Sequence, residues 1–523
     1  MPIKKENSGS LLELGTRSAG TAFSVFLGKL VSLISGAFML IFISRYIGPQ
    51  QYGIYVVAIA VAGFMSSFGS LNIGYYFNKI IPKLKARNES NKIGMLLGDS
   101  LAFLLLAAIV LIGIGIVLSP LIARYTLGSY SYSIYIFAAV FSIIWFMLYP
   151  DLNTTLISVG SRKDVAIAAM SGTFFQAVFS VALVLLGLGA LGPLLGYFMG
   201  FLLASLITIY LINSNIKIRF NAKGMFARIR KMLSFTFPIT LSGIISSNVS
   251  NFSVIFLGIL LVSTSLIGQF GVAQRVGVII TLISSSITAV LVAMFSTAMQ
   301  ETRNRRKLSL LYTSSIFYIL LFTVPMIVYT VVLSHQIVVT VFTAAYSQTA
   351  FYMPLISIGF LIQSVGFGAG ELLISLGKVK RILRLTIYIS ALELASILIL
   401  GPIFKVLGII AAVFYIGSIA YVYLYMREIR KSGIRFEIGP TSRLIIANLI
   451  LGAAMLPLLL LQIRPLYVMA MGIVEILAVY PIILSKSGAM SIDELNLLYR
   501  AGEKMPILAK ISKWYLDYVR MLM

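Results

Sequence analysis

The chain has 523 residues, 59% of them hydrophobic and 11% charged, with 41 lysines and arginines against 16 acids and a net charge of +25. A soluble domain carries roughly 25% charged residues, so this composition excludes an ordinary soluble protein. The absence of cysteine excludes disulfides, thiolate metal sites and cysteine nucleophiles, and a single histidine, His335, leaves a His-rich metal site or a catalytic triad almost nothing to work with.

The apolar residues recur in runs of twenty or more, each long enough to cross about 30 Å of hydrocarbon as a helix. They lack the period-two alternation of a membrane barrel. After a polar tail (1–20) without a cleavable signal pattern, the runs predict fourteen spans. In order these are 21–46, 52–78, 94–122, 131–158, 165–188, 191–213, 233–260, 266–297, 308–333, 349–376, 385–404, 406–426, 444–462 and 465–485. The connections are short, and none is large enough to fold as a separate domain.

Basic residues test this map independently. The N-terminal tail, every even-numbered loop and the C-terminal tail hold 35 of the 41 lysines and arginines. The odd-numbered loops hold only Arg45, Arg124, Lys405 and Arg464, while Lys29 and Arg275 fall inside spans. This asymmetry follows the positive-inside rule with both termini cytoplasmic. It also ascribes the net charge to membrane topology, so no nucleic-acid partner is expected.

Three short motifs recur at an offset of 215 to 217 residues: Tyr52-Gly53-Ile54-Tyr55-Val56 with Ile267-Gly268-Gln269-Phe270-Gly271, Leu156-Ile157-Ser158-Val159-Gly160 with Leu373-Ile374-Ser375-Leu376-Gly377, and Leu191-Gly192 with Leu407-Gly408. Their common order predicts duplicated halves. The expected layout is a six-helix bundle over 21–213, a basic cytoplasmic linker over 214–232 and a second bundle over 233–426. Two further transmembrane helices cover 444–485 and a cytoplasmic tail 486–523. An even number of spans per half makes the repeats parallel, and such transporters bind substrate between their halves and rock about it. In the tail, Ile507, Leu508, Ile511, Trp514, Tyr515, Leu516, Val519 and Leu522 oppose Lys510, Lys513, Asp517 and Arg520 at helical spacing, which predicts an interfacial amphipathic helix on the cytoplasmic leaflet.

The stretch Ser44-Arg45-Tyr46-Ile47-Gly48-Pro49-Gln50-Gln51-Tyr52-Gly53-Ile54-Tyr55 resembles the opening signature of polysaccharide (O-antigen type) flippases, in the multidrug/oligosaccharidyl-lipid/polysaccharide exporter superfamily. Phe237-Pro238, the stretch from Gly268 to Arg275, and Leu376-Gly377-Lys378 are similar to later landmarks of that family. The resemblance implies an all-α integral membrane protein: two pseudo-symmetric bundles around a central cavity, with spans thirteen and fourteen at the side. It also implies export of undecaprenyl- or dolichyl-linked oligosaccharide across the plasma membrane by alternating access. Glycosyltransferases or a polymerase of the same pathway are the partners it implies.

Ionisable groups within spans are costly and are functional candidates by default. In the resembling fold, spans one and eight line opposite sides of the cavity. Lys29 and Arg275 are therefore candidates to receive the anionic phosphate of a lipid carrier, Arg being able to engage it bidentately, with Arg45 a third nearer the outer surface. The competing reading of each is a local ion pair or snorkelling to an interface. Asp99, Asp151, Glu371 and Glu393 are candidates for ion coupling, although Asp151 and Glu371 precede the repeated Ile-Ser-x-Gly and read equally as structural pairs. Asn72, Asn248, Asn251, Gln274 and Gln363 are candidates for sugar hydroxyls, against interhelical hydrogen bonding.

The cluster Gly366, Gly368, Gly370 is no phosphate loop, since no Gly-Lys-Ser/Thr follows it. With no nucleotide motif the chain does not hydrolyse ATP itself, and outer loops that are short and almost free of acids argue against a membrane glycosyltransferase, polymerase or ligase, so the chain reads as a transporter and not an enzyme. A drug or metabolite exporter of the same superfamily is the alternative. Spans one and seven, however, lack the carboxylate such antiporters generally carry.

Overall fold

The computed structural model describes residues 7–489, apart from 71, 160–161, 303–304 and 437. The amphipathic helix expected beyond Ser491 lies outside the described residues, as do scattered side chains within helices, that of Lys29 among them. Every regular element among the described residues is helical, as lipid demands of a chain whose backbone polar groups must be satisfied internally. The chain divides into two compact units, Met1–Gly268 and Gln269–Met523.

The first unit contains α1 (Asn7–Ser67), α2 (Ile73–Ala86), α3 (Ser90–Leu127), α4 (Ser133–Val140), α5 (Ile143–Val159), α6 (Arg162–Leu185), α7 (Leu191–Asn215), α8 (Met225–Ile259) and the start of α9 (Thr264–Thr302). Expected spans one and two lie largely within α1, which is broken at Gly48 (φ 75°, ψ 171°) ahead of Pro49. Span two then ends early, at Ser67, and its remainder restarts as α2. The unit also runs past the basic linker that marks the expected junction, because α8 packs on α1 and α3.

Small residues line the helix contacts beside large apolar ones such as Leu97 and Leu104, while the exposed faces are large and apolar. On α3, Gly94, Gly98, Ala108, Gly115 and Ala123 are buried, whereas Leu106, Ile109 and Val117 are exposed, the last at 77%. Hydrophobicity drives no sorting in lipid, so helices associate by close packing of small residues. The clearest case is α7, where Gly192, Gly196 and Gly200 lie over Val184, Ser180 and Gln176 of the antiparallel α6 so closely that a Cβ at any of the three would overlap them.

The two glycines of the first repeated motif meet within this unit. A Cβ on Gly53 would overlap the carbonyl of Thr264, and one on Gly268 the carbonyl of Pro49. Each glycine thus sits against the carbonyl four residues before the other, a reciprocal contact.

The second unit contains the body of α9, then α10 (Arg305–Val332), α11 (Ser334–Ile337), α12 (Ser347–Ser364), α13 (Ala369–Ser375), α14 (Val379–Phe404), α15 (Val406–Ile410), α16 (Ser418–Lys431), α17 (Ile438–Met455) and α18 (Pro465–Lys486). Expected span ten is split into α12 and α13 by a turn at Val365–Gly368, where Gly368 takes φ 79°. A π-helical turn, Ala411–Gly417, joins α15 to α16 within expected span twelve. Helices α17 and α18, which form expected spans thirteen and fourteen, pack on each other, with α17 lying along α10.

Among the described residues, eleven helical stretches are long and apolar enough to cross a membrane. The difference from fourteen has identifiable sources. Spans one and two count as one stretch, Leu30–Ser67, and span seven is represented by the shorter Gly243–Ile259. Span eight falls in α9, many of whose side chains lie outside the described residues.

Candidate functional site

The candidate cations occupy two helices. On α1, Arg45 is exposed just before the break at Gly48. One position before Lys29, Gly28 is packed on Ala166 and Ala169 of α6, and Ser32 donates to the Ala169 carbonyl at 2.8 Å, so α1 is pinned to α6 at this level. In the second unit, Arg275 is exposed on α9, two positions from the fully buried Ala273. Gly277 packs on Phe360 of α12, which fixes that segment of α9 while leaving the guanidinium accessible. Gln274 beside it is half-buried.

The asparagines of the first unit gather at helix contacts. Asn248 of α8 donates to Ser67 Oγ of α1 at 2.7 Å, and its Oδ1 is buried without a hydrogen-bond partner among the described residues. One turn on, the Asn251 amide lies against Gly63 of the same helix α1. Asn72 takes the left-handed conformation (φ 49°) as N-cap of α2, a geometry that asparagine tolerates better than most residues.

The four acids have four different surroundings. Asp99, 1% exposed, accepts two hydrogen bonds from Arg228, at 2.5 and 3.0 Å. Arg228 also donates to the carbonyls of Lys223 and Asn221, so this planar fork ties α3 to the basic linker. The Asp99 bond pushes the pKa of Arg228 still higher, keeping it charged. Asp151 of α5 accepts from the Gly74 N–H at 3.0 Å and so caps the start of α2. The Glu393 carboxylate of α14 packs on Gly417, at the end of the π-helical turn, and makes no hydrogen bond or ion pair among the described residues.

Glu371, in the first turn of α13, faces a cavity of about 380 Å³ together with Gln363. Thr288, Phe360, Phe367, Gly368 and Tyr421 complete its wall. Composition alone points to neither Arg228 nor Tyr421. The signal for the latter is the four-residue spacing of Tyr421 and Tyr425, whose rings stand 4.5 Å apart.

Known structures share this architecture. The lipid II flippase MurJ, solved in an inward closed conformation, superposes with a TM-score of 0.73 at 16% identity, covering 88% of this chain and 98% of the flippase. An inward-facing multidrug resistance transporter of the MATE family, MOP superfamily, gives 0.64 at 14% identity over 78% of this chain and 98% of its own. A MOP superfamily transporter from Pyrococcus furiosus, described for the reversed polarity of its binding pocket, gives 0.51 at 15% identity, covering 79% and 95%. At these identities the likeness is one of fold. No curated protein sequence matches the chain. Residues 42–351 match the profile of the polysaccharide biosynthesis protein family, which is more than half of the chain. With that match, and with eleven stretches fit to cross a bilayer on a fold shared by flippases and exporters, this multi-pass membrane protein belongs to the polysaccharide biosynthesis protein family.

Proposed function

We propose that this protein is a transporter, not an enzyme, that flips a lipid-linked oligosaccharide from the cytoplasmic to the outer leaflet of the plasma membrane. The carrier is a polyprenyl or dolichyl phosphate or pyrophosphate, and the sugar is destined for polysaccharide or glycoprotein synthesis. The observation that carries this reading is the family match over residues 42–351 in a chain with the fold of a lipid II flippase. The fourteen-span topology with cytoplasmic termini and the bundles at 21–213 and 233–426 belong to the same proposal.

In this mechanism the two bundles alternate access around a cavity whose cations, Lys29 and Arg275 with Arg45 nearer the outside, hold the phosphate. Arg275 is accessible to such a ligand. A phosphate so bound is exchanged from water to a fixed set of donors, and a guanidinium can meet two of its oxygens at once. No nucleotide motif is present, so energy comes from an ion gradient, the membrane potential or net downhill flow.

The test is translocation of a fluorescent lipid-linked oligosaccharide in liposomes, comparing wild type with Lys29→Ala and Arg275→Ala at matched insertion. Loss of a phosphate-binding cation costs about 2 kcal/mol, or some thirty-fold in rate at limiting substrate. If wild type moves the lipid and both variants keep its rate, the cations have no such role. The second reading, an ion-coupled exporter of drugs or metabolites, is favoured by the likeness to multidrug transporters. Extrusion of small cations with no movement of lipid-linked sugar by wild type would replace the flippase with that exporter.

A further inference from the structure

The cavity of the second unit has a chemistry that a phosphate site does not need. Its polar wall consists of the Glu371 carboxylate and the Gln363 amide with Thr288 nearby, and its apolar wall of Phe360, Phe367 and the ring of Tyr421. A negative charge here would repel phosphate, so whatever enters is neutral or cationic. No basic side chain pairs with Glu371 among the described residues.

The backbone makes room for this cavity. The span breaks at Val365–Gly368, and Tyr421 spans the break from α16 by donating its hydroxyl to the Gly366 carbonyl at 3.2 Å. A Cβ on Gly366 would clash with that ring. Irregular backbone at membrane depth is tolerated where it lines a cavity. Because the hydroxyl of Tyr421 is engaged on the backbone, the residue presents its ring to the cavity in a fixed attitude.

A volume of about 380 Å³ lies in the range of small-molecule pockets, roughly 300–1,000 Å³. It is far too roomy for a bare cation, which needs about six oxygens at close range. One carboxylate, one amide and one hydroxyl cannot supply that cage, and no group of three metal-ligating side chains occurs among the described residues. A quaternary alkylammonium ion would use the carboxylate and the rings but has no N–H to offer the amide oxygen. A pyranose uses all of them: neighbouring hydroxyls pair with the planar carboxylate and amide, while the C–H face of the ring lies on an aromatic side chain.

We propose that this cavity is a saccharide-binding site, with Glu371 and Gln363 taking ring hydroxyls and Phe360, Phe367 and Tyr421 taking the apolar face of a neutral sugar. The site rests on the flippase reading and gives the glycan its own point of recognition, separate from the cations that hold the phosphate. It assigns Glu371 to cargo and not to ion coupling.

The experiment is saturation-transfer NMR on the full-length protein in lipid nanodiscs. The probes are a neutral hexose, an N-acetylhexosamine, a 6-deoxyhexose and, as the competing chemistry, tetraethylammonium. At least one sugar is expected to receive saturation from wild type, with binding about ten-fold weaker in Glu371→Leu, as for loss of a hydrogen bond to a charged group. Gln363→Leu, which keeps the charge and the volume, is expected to weaken it too, so a misfolded Glu371 variant does not decide the matter. Glu371→Leu should leave the thermal midpoint near wild type.

Three results overturn the site: no sugar receives saturation, sugar signals persist in both variants, or tetraethylammonium alone shows a Glu371-dependent signal. Its failure is distinct from that of the flippase, because liposomes that still flip lipid-linked sugar without Glu371-dependent sugar binding preserve the transporter and remove only this site.

Discussion

Asp99 and Arg228 stand 129 positions apart, and neither residue type at its position announces the other. In the sequence Asp99 is an acid at the edge of a span, and acids in spans are functional candidates. In the structure both its oxygens are engaged by one guanidinium. Removing one partner of a buried pair leaves an uncompensated charge. Because the arginine side chain is 26% exposed, Arg228→Ala is expected to cost about 3 kcal/mol, the lower end for such losses. Adding Asp99→Asn should restore part of it. Thermal unfolding in detergent measures both, and an Arg228→Ala protein that melts with wild type would strip the pair of structural weight. Asp151 and Glu371 teach the same lesson. They precede the same repeated motif, yet one caps α2 and the other faces a cavity.

Helices were legible as apolar runs, and their interruptions were not. The turn at Val365–Gly368 carries glycines, which the sequence shows as a cluster, but an unbroken packed helix reads the same way. The π-helical turn after α15 has no composition signal, since Ala411–Gly417 is ordinary apolar sequence. What the spacing Gly192, Gly196, Gly200 does show is one smooth helix face; only the fold supplies α6 as the surface that face meets. Gly196→Leu must push α6 and α7 apart, at about 1–3 kcal/mol for an overpacked contact. Gly113→Leu on α3, where a Cβ meets nothing, is the matched control. Thermal stability of the two variants in the same detergent is the measurement, and equal midpoints would show that the close approach of α6 and α7 carries no energy.

For the molecule as a whole, the absence of cysteine makes the topology directly testable, because any introduced thiol is unique. Ser129→Cys and Gln462→Cys are expected to react with a membrane-impermeant maleimide in intact cells. Asn88→Cys and Ser432→Cys should react only after permeabilisation. A single reversal would break the fourteen-span map. That map follows from the sequence alone because two strong local forces write it: the cost of placing polar groups in hydrocarbon and the bias of lysine and arginine toward the cytoplasm. The membrane class, the helical fold and the flippase-like family are legible for the same reason, being carried by every span and by motifs in fixed order. Tertiary structure alone decided which acid is neutralised, which caps a helix and which faces a cavity. It also decided that Gly53 and Gly268, copies of one motif, meet face to face. These outcomes depend on groups far apart in the chain, and a hydrogen bond or an ion pair acts over a few ångströms of space, a distance that residue numbers do not measure.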